Sequence, residues 1–459
     1  MTVRSRVVLR VGLPVVFLAC VATTRAAEPV AAEWKAGTAQ AVITPAGSMW
    51  MAGYASRKKP SEGVAQDLHA KALVLEDRVG QRLALVTCDL IGIPRGLLDE
   101  MRVDLQARCQ IPPAGLLLNA SHTHCGPELR TSKAALSGPQ PERVEQSRQY
   151  LESLRAKLVQ LVEQAVQRLE PAHLGYTHGR AGFAMNRRLP TEKGYVNRPY
   201  PDGPVDHDVP VLRVDSPAGT LRTLVFGYAC HNTTLSFFQF CGDYAGYAQQ
   251  YLQDAHPDMT AMFLTGCGAD QNPQPRGTLE LAQQHGRALA NGVEAALLGP
   301  ARPVRGTLRM AVDEVALDFA ASPSREELQK QAGSSDEFER RHAELLLREW
   351  EQEGAIRSRY PYVIQVIRCG DDLLLIALSG EVVVDYSLRL KQEYAGTRPV
   401  WVAAYCHDVF GYVPSARVLA EGGYEARDAT RYSILPGPFT ESIEERIVAK
   451  VRELVARTE

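Results

Sequence analysis

Short apolar runs that stop abruptly at glycine or polar residues recur throughout the chain, and they constrain its fold more than any other feature. Such runs occupy residues 83–87, 116–119, 224–228, 262–264, 373–378 and 400–403. Runs this short predict buried strands. Segments with apolar residues at helical spacing lie between or beside them, near residues 94–102, 142–170, 279–297, 324–353 and 441–457. This alternation predicts an α/β fold with mixed β-sheets layered with helices, and a functional site at the carboxyl ends of strands.

Composition agrees with an ordinary folded enzyme. Hydrophobic residues make up 45% and charged residues 23% of the 459-residue chain, which excludes wholesale disorder. The net charge of −2 provides no overall attraction to nucleic acid, so no nucleic-acid partner is expected. Residues 27–459 are predicted to form one large domain. The charged segment 324–353 predicts a surface helix or lid, and the Gly/Pro-rich segments 190–210, 271–277 and 432–438 predict long loops around a site.

The N-terminus has the layout of a secretory signal peptide. Arg4, Arg6 and Arg10 supply positive charge, residues 11–21 are apolar, and a small-residue cleavage site ends near Ala27. Residues 1–26 are therefore expected to be removed during export to a periplasmic or extracellular location. A lipoprotein anchor at Cys20 is the alternative. No later segment is apolar enough to predict a membrane span.

Nine cysteines are present, and their spacing is not that of a small disulfide scaffold. No CxxC motif occurs, which excludes a zinc ribbon or a thioredoxin motif. Cys20 is expected to leave with the signal peptide. The other eight are predicted to be small buried residues, with a Cys230–Cys241 disulfide as the alternative pairing.

The most suggestive motif follows the run at 116–119 and contains His122 and His124. In an extended strand these two side chains point to the same side and converge. Two imidazoles on one side predict a Zn²⁺ site, because zinc favours nitrogen ligands. Gly126 and Pro127 end the strand and favour a functional loop.

Three further residues lie at predicted strand ends. His231 ends the run at 224–228, Glu381 follows Gly380 after the most apolar run, and Tyr412 lies in a short Gly-Tyr-Val-Pro segment. Each has an ordinary structural explanation: a hydrogen-bonded core histidine, a helix-capping carboxylate and a packed aromatic. Their shared position at strand ends, together with the histidine pair, favours a common site.

Several other catalytic classes are excluded by missing motifs. The HxHxDH pattern requires Asp-His where this chain has Gly126-Pro127, and neither HExxH nor GxSxG occurs. No GxGxxG or P-loop sequence is present, which argues against dinucleotide or NTP chemistry.

From about Ala36 onward, the chain resembles a divergent, bacterial-type member of the neutral/alkaline non-lysosomal ceramidase family, in its catalytic N-terminal domain. Residues 36–45 are similar to the opening segment of that family and residues 51–55 to its Gly-Tyr segment. Residues 121–127 resemble its most specific motif, with Cys125 where serine is usual. No C-terminal β-sandwich domain, which the family carries, is expected in this chain.

The resemblance implies a zinc site and a set of catalytic residues. It assigns the four zinc ligands to His122, His231, Glu381 and Tyr412. It assigns His124 as a neighbouring catalytic histidine and Arg187 as an arginine near the substrate. The family's serine motif corresponds to residues 268–273, in which Asp270 matches the aspartate and Asn272 replaces the serine. Asp270 and Asn272 complete the predicted catalytic set.

The function predicted from these residues is zinc-dependent cleavage of an amide (N-acyl) bond by a metal-activated water. His124 would pass a proton to the leaving amine. Asn272 cannot act as a nucleophile, but its amide could stabilise an oxyanion. The expected partner is a small-molecule or lipid amide. Two alternatives stay open: a metal-containing binding protein without catalysis, and a zinc hydrolase acting on an ester or a carbohydrate-linked substrate.

Overall fold

The computed structural model describes residues 1–3, 5–9, 33–138, 140–396 and 398–459. Most of the predicted signal peptide, its cleavage site and Cys20 lie outside the described residues. Residues 1–31 and 32–459 cluster as separate units. The described residues of the first unit are exposed and have no regular secondary structure. In the described part of the chain, no helix is both long and apolar enough to span a bilayer.

The second unit contains long strands and many two- or three-residue strands. Their bounds are β1 Trp34–Val42, β2 Gly63–Val64, β3 His69–Asp77, β4 Arg82–Cys88, β5 Leu116–Ala120, β6 Glu170–Arg180, β7 Ala184–Thr191, β8 Gly194–Tyr200, β9 Asp208–Asp215, β10 Leu221–Tyr228, β11 Gln239–Phe240, β12 Thr260–Thr265, β13 Gln271–Pro273, β14 Arg302–Val304, β15 Leu308–Asp318, β16 Arg359–Cys369, β17 Leu373–Ser379, β18 Glu381–Val382, β19 Val400–Cys406 and β20 Tyr412–Val413. All six apolar runs predicted as strands are confirmed.

The helices pack outside these strands. Their bounds are α1 Arg95–Cys109, α2 Thr131–Ser137, α3 Pro141–Gln167, α4 Asp243–Ala255, α5 Leu279–Leu297, α6 Arg325–Gln331, α7 Glu337–Glu353, α8 Val384–Glu393, α9 Ala416–Glu421 and α10 Ile443–Arg457. Two 3-10 turns, Pro113–Gly115 and Thr430–Tyr432, and a π-helical turn, Tyr424–Asp428, complete the described elements.

Within the described residues, one thirteen-stranded mixed sheet forms the centre of the fold. Its strand order is β12-β10-β9-β6-β1-β3-β4-β5-β19-β17-β16-β15, with β14 paired to β6. Apolar side chains from both ends of this order share one buried core, which includes Val225, Met262, Leu375 and Trp401. The sheet therefore folds back so that its two halves pack face to face.

Helices cover the outer faces of both halves. α1 and α3 pack on β3, β4 and β5, α4 and α5 pack on β9, β10 and β12, and α8 and α10 pack on β16, β17 and β19. The result is a helix–sheet–sheet–helix arrangement, which confirms the predicted α/β class of mixed sheets layered with helices. Strand ends of both halves lie near one another as a consequence.

The two halves approach most closely at Gly227 of β10. A Cβ atom at this position would lie 2.9 Å from Cζ2 and Nε1 of Trp401 on β19. An isolated backbone bridge, Gly266 to Ala403, joins the same two halves. The absence of a side chain at Gly227 thus allows the halves to pack.

Three predicted segments differ from the structure. Residues 324–353 form two helices, α6 and α7, because Gly333 follows the first and the Asp336 side chain accepts from the Phe338 and Glu339 amides to begin the second. Residues 190–210, predicted as a loop, contribute the end of β7 and all of β8. Within 271–277, residues 271–273 are strand β13, paired with β7. In both segments, hydrogen bonding to a neighbouring strand outweighs the preference of glycine and proline for loops.

All eight cysteines in the described residues are buried free thiols. This agrees with the prediction that they fill space near strand ends. The alternative Cys230–Cys241 disulfide is not formed.

Gly227→Ala should lower the free energy of unfolding by about 1–3 kcal/mol, the usual cost of overpacking a core. The new methyl group would press on the Trp401 indole, which is 2% exposed. Urea unfolding measures the change. Gly47→Ala, whose Cβ meets no atom within 4 Å, is the matched control. Equal destabilisation by both substitutions would contradict the close approach of the two halves.

Candidate metal centre and active site

The ends of several strands meet where the two halves of the sheet join. Asn119, near the end of β5, connects them. Its Nδ2 donates to the carbonyl of Ala404 at 2.7 Å, and its Oδ1 accepts from the Thr265 amide at 3.0 Å. Thr265 in turn donates from Oγ1 to the carbonyl of Ala120 at 2.8 Å. These bonds hold the segments that follow β5, β12 and β19 next to one another.

His122 lies two residues beyond β5 and has left-handed backbone geometry, with φ 59°. Its Nδ1 is 2.6 Å from the carbonyl oxygen of Ile91, so Nδ1 carries the proton and Nε2 carries a lone pair. The predicted convergence with His124 is confirmed, since their Nε2 atoms are 3.2 Å apart. The prediction that strand alternation aligns the two rings was wrong. Strand β5 ends at Ala120, and a turn brings the rings together. Non-glycine residues in this conformation are strained by about 1–3 kcal/mol and occur mainly at functional sites.

His231 follows β10 in an irregular segment and is 1% exposed. Its Nδ1 donates to the Gly268 carbonyl at 2.8 Å, which again leaves the lone pair on Nε2. Burial lowers the pKa of His231 to about 4, and the nearby charge of Arg187 acts in the same direction. The imidazole is therefore neutral at physiological pH.

Glu381 and Tyr412 reach the histidines through the short parallel pair β18–β20. Their Cα atoms are direct partners in this pair. Glu381 Oε2 lies 3.3 Å from His122 Nε2 and 3.4 Å from His231 Nε2. The Tyr412 hydroxyl lies 3.4 Å from His231 Nε2. The pKa of Glu381 lies well below its ordinary value: burial raises it, and positive charge beside the carboxylate, which the imidazoles of His122 and His231 carry when protonated, outweighs that effect.

The predicted metal-binding groups suit a metal cation; they are His122, His231, Glu381 and Tyr412. Neither imidazole has a proton on the nitrogen that faces Glu381, and Oε2 is a buried atom without a hydrogen-bond donor. Lone pairs that face one another in a buried site repel unless a cation lies between them. A tetrahedral ion bound at about 2.0–2.2 Å would set its ligand atoms about 3.3–3.6 Å apart, and the observed separations match that spacing.

His124 lies beside this group but differs from the other two histidines. Its Nδ1 is buried with no hydrogen-bond partner, whereas metal-bound histidines almost always donate from the second nitrogen. Burial, more than the neighbouring imidazoles, lowers its pKa well below the ordinary value. Gly53, at φ 97°, packs so closely that a Cβ there would lie 2.4 Å from the ring. The Tyr54 ring packs edge-on at 4.7 Å.

Arg187 connects the predicted catalytic residues behind the metal-binding groups. It donates from Nη2 to the Tyr412 hydroxyl at 3.0 Å and from Nη1 to Asn272 Oδ1 at 3.1 Å. Its Nε donates to Glu425 at 2.8 Å, which neutralises the buried guanidinium. Because Oδ1 of Asn272 accepts from Arg187, the donor group of that amide is its Nδ2.

Asp270 has a different position from the other predicted residues. Its carboxylate accepts from the Val384 amide at 2.9 Å, which begins α8, and from Asn186 Nδ2 at 3.2 Å. It thereby fills the helix-capping role that the sequence suggested for Glu381. Burial, with the charge of Asp385, raises the pKa of Asp270 to about 7. A catalytic role for Asp270 stays a prediction.

A cavity of ≈ 290 Å³ opens in front of the metal-binding groups. Its lining includes residues that sequence reasoning did not identify: Tyr54, Glu128, Arg130, Lys133, Arg143, Phe338, Tyr424 and Tyr432. Glu128, Arg130 and Lys133 follow the histidine motif within ten residues, a proximity that could have indicated them. No sequence motif marks Glu425 or Phe338 as a site residue, because only the fold brings them to the site.

Solved structures with the same fold include neutral ceramidase from Pseudomonas aeruginosa, at TM-score 0.69 and 20% identity, covering 92% of this chain and 75% of that chain. A ceramidase complexed with C2 matches at TM-score 0.70 and 20% identity, covering 92% and 76%. Among curated relatives, neutral ceramidase of Drosophila pseudoobscura pseudoobscura is 32% identical over 116 residues, and that of Drosophila melanogaster is 33% identical over 114 residues.

Each of these two alignments spans about a quarter of this chain, 25% and 24%, and 16% of the relative. The family described as neutral/alkaline non-lysosomal ceramidase, N-terminal, matches residues 34–271. The match covers more than half of the chain and includes both β5 and β10 with the histidines that follow them. The chain therefore belongs to the neutral/alkaline non-lysosomal ceramidase family.

Proposed function

We propose that this protein is a zinc-dependent hydrolase that cleaves the amide bond of an N-acyl compound. The observation that carries the proposal is that two imidazole Nε2 atoms lie 3.3 Å and 3.4 Å from the same carboxylate oxygen of Glu381, beside a cavity. Family membership supports the reaction class. The substrates named for the relatives, including C2 in the solved complex, apply to those proteins.

His122, His231, Glu381 and Tyr412 would hold the ion. Two imidazoles with oxygen ligands are typical of Zn²⁺. The bound ion would supply a Lewis acid and lower the pKa of a coordinated water to about 7. The carbonyls of Ile91 and Gly268 fix the tautomers of the two histidines, so Nε2 is free for the metal without any rearrangement.

His124 would move the proton. Its neutral ring has one unpaired buried nitrogen and lies 3.2 Å from a metal ligand, so it can accept a proton at the reacting centre and return it to the departing amine. The close packing of Gly53 and Tyr54 holds the ring in place. The same unpaired nitrogen argues against His124 as a permanent ligand.

Asn272 would stabilise negative charge on the carbonyl oxygen. Arg187 binds Oδ1 and so fixes the orientation in which Nδ2 donates. Arg187 also bonds Tyr412, which couples this donor to the metal-binding groups. A donor held this firmly acts without reorganisation when the charge develops.

A catalytically silent metal-binding protein is the second candidate, because the resemblance to the family implies that Asn272 stands where a serine is usual. The hydrolase would turn over a substrate and the binding protein would not, whereas both would contain the metal. Hydrolysis of any N-acyl compound by the zinc-loaded protein favours the enzyme.

The ligand assignment predicts that His231→Ala loses zinc, because it removes one of two nitrogen ligands, whereas His124→Ala retains one equivalent. The latter should still lose about 10²–10⁴-fold in turnover, the usual contribution of general acid–base catalysis. Mass-spectrometric metal analysis of purified protein measures the zinc content. His178→Ala, an exposed histidine on β6, is the control. Full zinc in His231→Ala would refute the assignment.

Asn272→Ala should lower kcat by about 10²–10³-fold, as expected when one oxyanion donor is removed. Zinc content should stay at one equivalent. Asn272→Asp, similar in size but lacking the donor, should be impaired to a similar degree. A wild-type level of turnover in both variants would show that Asn272 does not contact the reacting carbonyl.

A further inference from the structure

The wall of the cavity that faces the metal-binding groups is cationic. Arg130, Lys133 and Arg143, from α2 and the segments around it, line the same cavity as His122, His124 and Glu381. The charges of Arg130 and Lys133 both interact with that of Glu381, which places them close to the reacting centre. This wall is assembled from the segment that follows the histidine motif and from the first turn of α3.

Among the described residues, only Arg130 of these three cations forms an ion pair with a carboxylate of the cavity. Glu128 receives two parallel hydrogen bonds from Arg130, both at 2.8 Å. Lys133 donates to the backbone carbonyl of Tyr432. Arg143 lies over the Trp50 ring at 4.1 Å and donates from Nη1 to the Ser137 carbonyl at 3.4 Å. Among the described residues, no carboxylate oxygen lies within 4.0 Å of the Lys133 ammonium or the Arg143 guanidinium. Glu381, the other acidic side chain in the lining, faces the imidazoles.

Burial makes these two charges costly. Arg143 is 7% exposed, and its buried Nε has no hydrogen-bond partner. Burial, reinforced by Arg130, lowers the pKa of Lys133 to about 7. A charge that is partly removed from water and has no counter-ion destabilises the folded protein unless a ligand supplies the opposite charge. Lys133 and Arg143, whose hydrogen bonds go to neutral carbonyls, thus make this side of the cavity complementary to an anion.

We infer that the substrate is an anionic N-acyl compound, specifically an N-acyl amino acid whose carboxylate binds Lys133 and Arg143 while its amide lies at the metal centre. The inference rests on the proposed function and specifies its substrate class. Guanidinium and ammonium groups bind carboxylates through charge-assisted hydrogen bonds. An uncharged lipid amide of the ceramide type would leave both cations unpaired in the bound state.

A matched pair of amides tests this preference in the zinc-loaded wild-type protein. N-Dodecanoylglycine and N-dodecanoylethanolamine share the acyl chain and differ in one carboxylate against one hydroxyl. We expect kcat/KM to favour the glycine conjugate by roughly 10- to 100-fold, the range of one charge-assisted hydrogen bond. Equal values, or a preference for the ethanolamide or a ceramide, would overturn the inference and leave the proposed amide hydrolysis intact.

Substitutions locate the source of the preference. Lys133→Met and Arg143→Met should each reduce the ratio about tenfold or more, chiefly by raising KM for the glycine conjugate. Arg148→Met is the control, since Arg148 lies on α3 like Arg143 but is exposed and paired with Glu145 and Glu152. An unchanged ratio in both variants would overturn the inference.

A binding measurement separates the inference from the proposed function. Calorimetry with N-dodecylsulfonylglycine and its hydroxyethyl counterpart, two sulfonamides that replace the scissile amide, needs no turnover. Tighter binding of the carboxylate, lost in Lys133→Met, would support the anion site even if no amide were hydrolysed, in which case only the proposed function would fail. Equal binding of the two compounds would overturn the anion site whatever the activity.

Discussion

The fold must hold three mutually repelling lone pairs together, and much of the structure serves that requirement. The Nε2 atoms of His122 and His231 and Oε2 of Glu381 face one another in a buried site without a proton among them. They follow three different strands, β5, β10 and β17, of which β10 lies near one end of the sheet order, whereas only β19 separates β5 from β17. They meet because the sheet folds back, with Gly227 against Trp401 and Asn119 bonded to both halves.

The surroundings of these atoms determine their chemistry. Two backbone carbonyls fix the imidazole tautomers, and the register of β18 with β20 sets the carboxylate beside the phenol of Tyr412. Arg187 joins that phenol to Asn272, and Glu425 neutralises Arg187. Asn272 is therefore part of an ordered network beside the predicted metal-binding groups, which suits a hydrogen-bond donor better than a nucleophile.

Sequence patterns predicted the strands and most long helices correctly, because short apolar runs and helical periodicity are local signals. They also indicated that His122, His231 and Glu381 lie close together, since each follows such a run. The local conformations predicted for individual residues were less accurate. His122 and His124 converge through a left-handed turn, and Asp270 rather than Glu381 caps α8. Contacts between distant segments, such as Arg187 with Glu425 or Phe338 with the cavity, have no local signature and required the fold.

X-ray absorption at the zinc edge is the sharpest test of the proposed metal centre, because it reports the atoms that surround the ion in the purified protein. We expect one zinc per chain with only nitrogen and oxygen neighbours at about 2.0–2.2 Å and the outer-shell scattering of two imidazoles. In His231→Ala, zinc and signal should be lost together. Sulfur neighbours at about 2.3 Å, or an unchanged spectrum in His231→Ala, would contradict the proposed metal centre.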